Sequence, residues 1–335
     1  MNNTISFLYL ILVVIFLRSC SGYKISSDNI SNSNSKVESK SYVILEDKLS
    51  IADPFVLYYN DKHYAYGTRG QGFEVYKSDD LKHWVRNENL ALNPSDSWGT
   101  RWFWAPEVYF NEYKNKFYMF YSANEHINVA ISDNPEGPFI QEVKRPIVSD
   151  EKGIDTSLFI DEDGTVYLYY VRFTDGNVIW VAEMTEDLMS IKTNTLSRCI
   201  TANDPWERVQ AKVVEGPSVF KLGDKYYMIY SANHFESKDY AVGYATSDSP
   251  LGPWEKYRGN PILRRDNPAA DGLIGTGHGA MFKVKDGSLK YIYHGHANDS
   301  SIHPRTSYIN DLVISKDGVI SIVGKPIRPV VAKIE

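Results

Sequence analysis

The chain has 335 residues, a formal net charge of −6, 23% charged residues and 43% hydrophobic ones. That balance is ordinary for a soluble globular protein, and it excludes both a broad basic surface for nucleic acid and a long acidic disordered tail. The 24 Tyr, 14 Phe and 7 Trp favour strands and also stack well on ligands.

In chain order, the first feature is the apolar run ISFLYLILVVIFL at residues 5–17. It is short for a membrane-spanning helix and matches the core of an export signal, so residues 1–20 are expected to be a leader. The run ends in LRSC, which resembles a bacterial lipobox with Cys20 as the acylated residue. Export to the periplasm or cell surface follows, with the membrane touched only through a lipid at Cys20; plain secretion is the alternative. Residues 21–41 are rich in Ser and Asn, bury too little surface to fold, and are expected to be a flexible tether. Only Cys199 remains in the body, which excludes an internal disulfide and a Cys-based zinc site. Residues 42–335 are long enough for one large all-β domain.

That domain repeats itself. One unit recurs five times: a strand, a tight polar turn, an aromatic strand, then a third strand with a polar end. The copies open with DPFVLYYNDKHYAYGT, PEVYFNEYKNKFYMFYSA, DTSLFIDEDGTVYLYYV, GPSVFKLGDKYYMIYSA and GAMFKVKDGSLKYIYHG. They begin near residues 53, 106, 155, 216 and 279. Pairs such as Asn-Asp, Asp-Gly and Gly-Asp mark the turns, and no stretch sustains a capped helical period. A repeat of this size built from short strands is a propeller blade, so the fold class is all-β, a five-bladed β-propeller. Two packed sandwiches are the alternative, but they would not demand five copies of one unit.

In a propeller the innermost strand of each blade begins beside the central axis. The five starts are Asp53-Pro54, Pro106-Glu107, Asp155-Thr156, Glu215-Gly216 and Gly279, the last just after His278. Asp53 and Asp155 alone each suit a turn, while a Glu before Gly-Pro is rarer there. Three acids at equivalent blade starts aim at one pocket, which turn chemistry does not explain. Converging carboxyls suit glycoside hydrolysis, in which one acid gives a proton to the leaving oxygen and another activates water. Glu215, set among Val213, Val214, Gly216 and Pro217, is the candidate acid, because apolar surroundings disfavour its charge. Asp53 is the candidate base.

These residues carry a family resemblance. The segments ADPFVLYYNDKHYAYGT, WAPEVYF, GIDTSLFIDEDGTVYLYY, EGPSVFK and GTGHGAMF, in that order over roughly residues 45–330, resemble glycoside hydrolase family 43. These are five-bladed propeller enzymes that act on arabinose- and xylose-containing polysaccharides. The resemblance implies Asp53 as general base, Glu215 as general acid and Asp155 as the residue that tunes and orients Glu215. It implies His278 near the axis, holding a structural calcium or a water cluster, and Arg305 reaching the bound sugar. The third motif usually has Pro where Thr156 stands here. The family inverts anomeric configuration, which implies carboxyls roughly 6.5–9.5 Å apart. No organic cofactor is implied.

Other candidates weigh differently. Trp98, Trp102 and Trp104 cluster before a blade start, so at least one is expected to wall the pocket, and Trp104 sits within the matched motif. His234 is placed to line the pocket rim. Phe73, Trp84 and Trp254 sit later in their blades and are expected in the core, as is Cys199. Asp161–Gly164 has the look of a calcium loop, but Arg172 stands where the bidentate Glu would fall, so it is a hairpin turn. The expected activity is release of terminal α-L-arabinofuranosyl or β-D-xylosyl residues from plant polysaccharide. The alternatives are endo-acting arabinanase or xylanase action on the same fold and a carbohydrate-binding propeller without catalysis.

Overall fold

A computed structural model describes residues 40–335. The expected leader, the Cys20 anchor and residues 21–39 of the tether lie outside the described residues. Strand β1 (Tyr42–Glu46) leads into blade I, formed by β2 (Ala52–Tyr59), β3 (Lys62–Thr68), β4 (Tyr76–Ser78) and β5 (His83–Arg86). Blade II holds β6 (Trp104–Asn111), β7 (Lys116–Ala123) and β8 (His126–Ser132). Blade III holds β9 (Gly153–Ile160), β10 (Val166–Phe173), β11 (Asn177–Glu183) and β12 (Ser197–Ile200). Blade IV holds β13 (Val214–Leu222), β14 (Lys225–Ala232), β15 (Ala241–Ser247) and β16 (Glu255–Lys256). Blade V holds β17 (Gly277–Lys283), β18 (Leu289–Gly295), β19 (Thr306–Ile314) and β20 (Ile320–Ile327), and β21 (Val330–Ile334) ends the chain. Each blade is an antiparallel meander, and the five make an all-β five-bladed propeller.

Strand alternation sets the packing between blades. On β7, Phe117, Met119 and Tyr121 join the core cluster shared with blade I, while Tyr118 and Phe120 join the cluster shared with blade III. Five such clusters fill the seams, and each fully buried aromatic or aliphatic side chain contributes about 1.5–3 kcal/mol. Phe73 and Trp84 are fully buried, and Trp254 and Cys199 pack against the cluster between blades III and IV. The ring closes through the chain ends. β21 pairs parallel with β5, matching Val331 to Trp84, and antiparallel with β1, matching Ile334 to Tyr42.

The inner strands β2, β6, β9, β13 and β17 pack against one another in a ring around the axis. Each is bulged near its start: register slips between Ala52 and Phe55, Trp104 and Glu107, Ile154 and Ser157, Glu215 and Ser218, and Gly277 and Ala280. Every bulge contains one residue with positive φ: Asp53 (48°), Ala105 (44°), Asp155 (57°), Gly216 (54°) and His278 (42°). These five are the true equivalents. The alignment of blade starts therefore shifts: Ala105 replaces Pro106 in blade II, His278 replaces Gly279 in blade V, and Glu215 precedes the bulge residue of blade IV by one position. A left-handed conformation costs a non-glycine residue on the order of 1–3 kcal/mol. The fold bears that cost at Asp53, Asp155 and His278, where the bulge re-aims the side chain.

The bulged backbone is held by a repeated contact. The N–H of Ala105 donates to Thr68 Oγ1 (2.9 Å), that of Asp155 to Ser122 Oγ (3.1 Å) and that of His278 to Ser231 Oγ (2.6 Å). The Asp53 N–H donates to His294 Nδ1 (3.1 Å). Each acceptor sits at the end of the second strand of the preceding blade. In blade III that position is Val171, which pairs with Ile154 and has no acceptor to offer. The Gly216 N–H donates to the Asp155 carboxylate instead.

Candidate active site

The bulges open onto a cavity of about 770 Å³. Asp53, Trp104, Asp155, Glu215, His234, His278 and Arg305 all line it, so the structure brings together every residue singled out from the sequence for a site. A larger space of about 990 Å³ lies around β12 and β16, the outermost strands of blades III and IV, away from the carboxyls. Blades diverge as they run outward, and a wedge there follows from the fold.

Asp53 is almost fully buried. Arg305 Nη1 donates to Asp53 Oδ1 (2.8 Å) and Nη2 to Oδ2 (3.4 Å), while His278 Nδ1 lies 3.4 Å from Oδ1. Burial opposes ionisation of this carboxyl. The Arg305 guanidinium outweighs it and holds Asp53 well below the usual carboxylate range. Arg305 is itself braced, with Cζ 4.6 Å from the centre of the Phe235 ring.

Glu215 has the opposite environment. Burial pushes its carboxyl up to about 7, and the charge on Asp53 adds to the shift. Tyr240 OH donates to Oε1 (2.8 Å) and Asn177 Nδ2 donates to Oε2 (2.9 Å), which fixes the carboxyl plane and partly offsets the rise. Asp155 is raised too, first by burial and then by Glu215 and Asp53. Asp155 and Glu215 are therefore both biased toward the protonated form, beside an Asp53 that stays charged. Two carboxyls of split acidity in one cavity can give a proton at one point and take one at another.

Burial keeps His278 neutral, its pKa lowered despite Asp53. One atom each of Asp155, Glu215 and His278 lies within 4.8 Å of the others, and this buried group could hold a metal.

Trp104 walls the cavity, and Trp102 stacks on it with ring centres 5.9 Å apart. Trp98 turns away and packs edge-on to His126. Asp161 accepts from Tyr226 and Lys221, as the brace of a hairpin turn. Sequence reasoning missed Tyr240, Asn177, His294 and Phe235. Asn177 follows a Gly in a turn, and Tyr240 is a buried aromatic just before β15, so each has an ordinary local reading. The signal that could have found His294 is its place at the end of β18, equivalent to Thr68, Ser122 and Ser231.

Comparison with known proteins shows the family. The model of the family described as glycosyl hydrolases family 43 matches residues 47–320. The chain is similar to a solved endo-1,4-beta-xylanase of Bacteroides thetaiotaomicron, with 62% identity and a TM-score of 0.84, covering 87% of this chain and 100% of that one. It is 26% identical to the beta-D-galactofuranosidase xynD of Aspergillus niger, over 80% of this chain and 81% of that protein. It is also 26% identical to an arabinoxylan arabinofuranohydrolase of Bacillus subtilis, over 92% of this chain and 69% of that protein. With the match running from blade I into blade V, the chain belongs to glycosyl hydrolases family 43 and is a glycosidase.

Proposed function

We propose that the protein releases terminal α-L-arabinofuranosyl or β-D-xylosyl residues from plant polysaccharide or its oligosaccharides, with inversion. The observation that carries this reading is the split acidity of the carboxyls, with Asp53 held well below the ordinary range and Glu215 raised to about 7 in the same cavity. Glu215 protonates the glycosidic oxygen. Asp53, kept ionised by Arg305, takes a proton from water, and that water attacks the anomeric carbon from the face opposite the leaving group. Asp155 positions Glu215 through the neighbouring Gly216, whose N–H its carboxylate accepts. Trp104 offers an aromatic face to the sugar, and Arg305 and His234 bound the pocket that receives it.

A second reading is endo-cleavage of a xylan backbone. The similarity to an endo-1,4-beta-xylanase at 62% identity favours it. The difference in acidity between Asp53 and Glu215 favours catalysis over passive sugar binding.

The proposal extends to a cation and to export. A divalent ion would sit at the neutral His278 nitrogen and, with Glu215 keeping its proton for the leaving group, calcium there would draw most of its oxygens from water. A bound cation would supply fixed positive charge beside the carboxyls. The apolar run at 5–17 and the LRSC that follows support export and a lipid at Cys20.

The test is a panel of 4-nitrophenyl α-L-arabinofuranoside, 4-nitrophenyl β-D-xyloside, arabinoxylan oligosaccharides and linear xylan, with proton NMR of the first-formed sugar. Monosaccharide of inverted configuration supports the reading. Oligosaccharide products of mixed length from linear xylan favour the endo-acting alternative, and retained configuration refutes the inverting chemistry.

A further inference from the structure

Blades II and IV carry the same tripeptide at the end of their second strand, Ser122-Ala123-Asn124 and Ser231-Ala232-Asn233. Both asparagines are left-handed, with φ of 51° and 72°. Both side chains clamp the loop that leads into their own inner strand. Asn124 Oδ1 accepts the N–H groups of Thr100 (3.1 Å) and Arg101 (3.0 Å), and Asn233 Oδ1 accepts that of Gln210 (2.7 Å). The next residue in each repeat lines the cavity. In blade IV it is His234, and in blade II it is Glu125.

Glu125 occupies a costly position. With φ of 58° it is the second of two consecutive left-handed residues in the β7–β8 turn, where glycine fits without strain. Its Oε2 meets Lys152 Nζ at 2.6 Å, but Lys152 is 59% exposed, and exposed pairs add little stability. Among the described residues, no hydrogen bond engages Oε1. Stability therefore does not account for a glutamate here, whereas a carboxylate at the pocket wall does.

The cations around the cavity are already engaged. Arg305 serves Asp53, Arg69 donates to Tyr76 and Glu46, and the exposed Lys152 meets Glu125 Oε2, leaving Oε1 free toward the pocket among the described residues. A sugar carboxylate entering the pocket would meet the carboxylates of Glu125 and Asp53 with no free positive partner, while sugar hydroxyls would find acceptors. We propose that Glu125 determines specificity: it accepts hydrogen bonds from the hydroxyls of an uncharged glycosyl residue next to the scissile bond and rejects uronosyl-substituted chains. This rests on the glycosidase reading above.

The test compares parent, Glu125→Gln and Glu125→Gly on neutral pentose oligosaccharides and on the same chains bearing a uronosyl branch, with melting temperatures in parallel. The expected result is a rise in KM of about tenfold on neutral chains, with a smaller change in kcat, in both variants. The preference of the parent for neutral over uronosyl chains should shrink by about tenfold or more. Glu125→Gly should also melt about 2 °C higher, because it releases the strained turn. Parental KM and parental discrimination in both variants, with an active parent, would overturn the inference and leave the glycosidase reading standing. A parent inactive on every glycoside would overturn both.

Discussion

At the residue scale, the chemistry rests on where protons sit. In the proposed mechanism Glu215 carries its proton to serve the leaving group, and Asp53 is without one to serve water. Raising the pH through about 7 strips the proton from Glu215, so kcat/KM should fall above that point, close to tenfold per pH unit. Asp53 is held well below the usual range, so the acid limb should lie below about pH 4. A pH series of kcat/KM on an arabinofuranoside or xyloside checks both limbs. A profile still rising at pH 8.5 would contradict the assignment of the proton to Glu215. Glu107 shows how residue type alone misleads. It looks like a fourth blade-start acid, and burial raises it to about 8. It stands two positions past the bulge residue Ala105, donor contacts from Tyr109 and Ser157 engage it, and it does not line the cavity.

At the element scale, the bulges decide which side chains meet. Five repeats, each of strand, turn and aromatic strand, were legible in the sequence, because period and turn chemistry are local. The register of each bulge was not, because one extra backbone residue leaves no mark in residue type. Asp53 and Asp155 sit on bulge residues, but Glu215 reaches the same cavity from one position earlier, with Gly216 taking the left-handed place. That glycine is required twice over. A Cβ there would lie 2.8 Å from His278 Cδ2, and its φ is 54°. Gly216→Ala should therefore cost roughly 1–3 kcal/mol in urea unfolding and lower kcat at least tenfold, by displacing Glu215 and His278. Parental values of both would show that the bulge geometry is dispensable. The second-strand partners of the bulges, His294 among them, were equally hidden, since their role appears only across a blade seam.

At the scale of the whole molecule, the ring must close for the bulges to converge. Closure depends on β21, which sits between β1 and β5 and buries Val331 beside Trp84. The repeats predicted five blades, but the pairing of the last strand with the first blade joins residues more than 240 positions apart, as in Val330 with His83, and has no local signature. Removing residues 330–335 should expose that seam and lower the melting temperature by roughly 5 °C or more in calorimetry. An unchanged melting temperature would mean that the ring holds without its clasp. With the ring closed, the account makes Glu215 a proton donor to the leaving oxygen, and the most direct test is the dependence of Glu215→Gln on the leaving group. Its kcat/KM should fall by about 10²–10⁴ on arabinoxylan or xylan oligosaccharides, whose leaving alcohol needs a proton, and far less on a 2,4-dinitrophenyl glycoside, whose leaving group does not. Equal losses on both substrates, or no loss on either, would contradict the account.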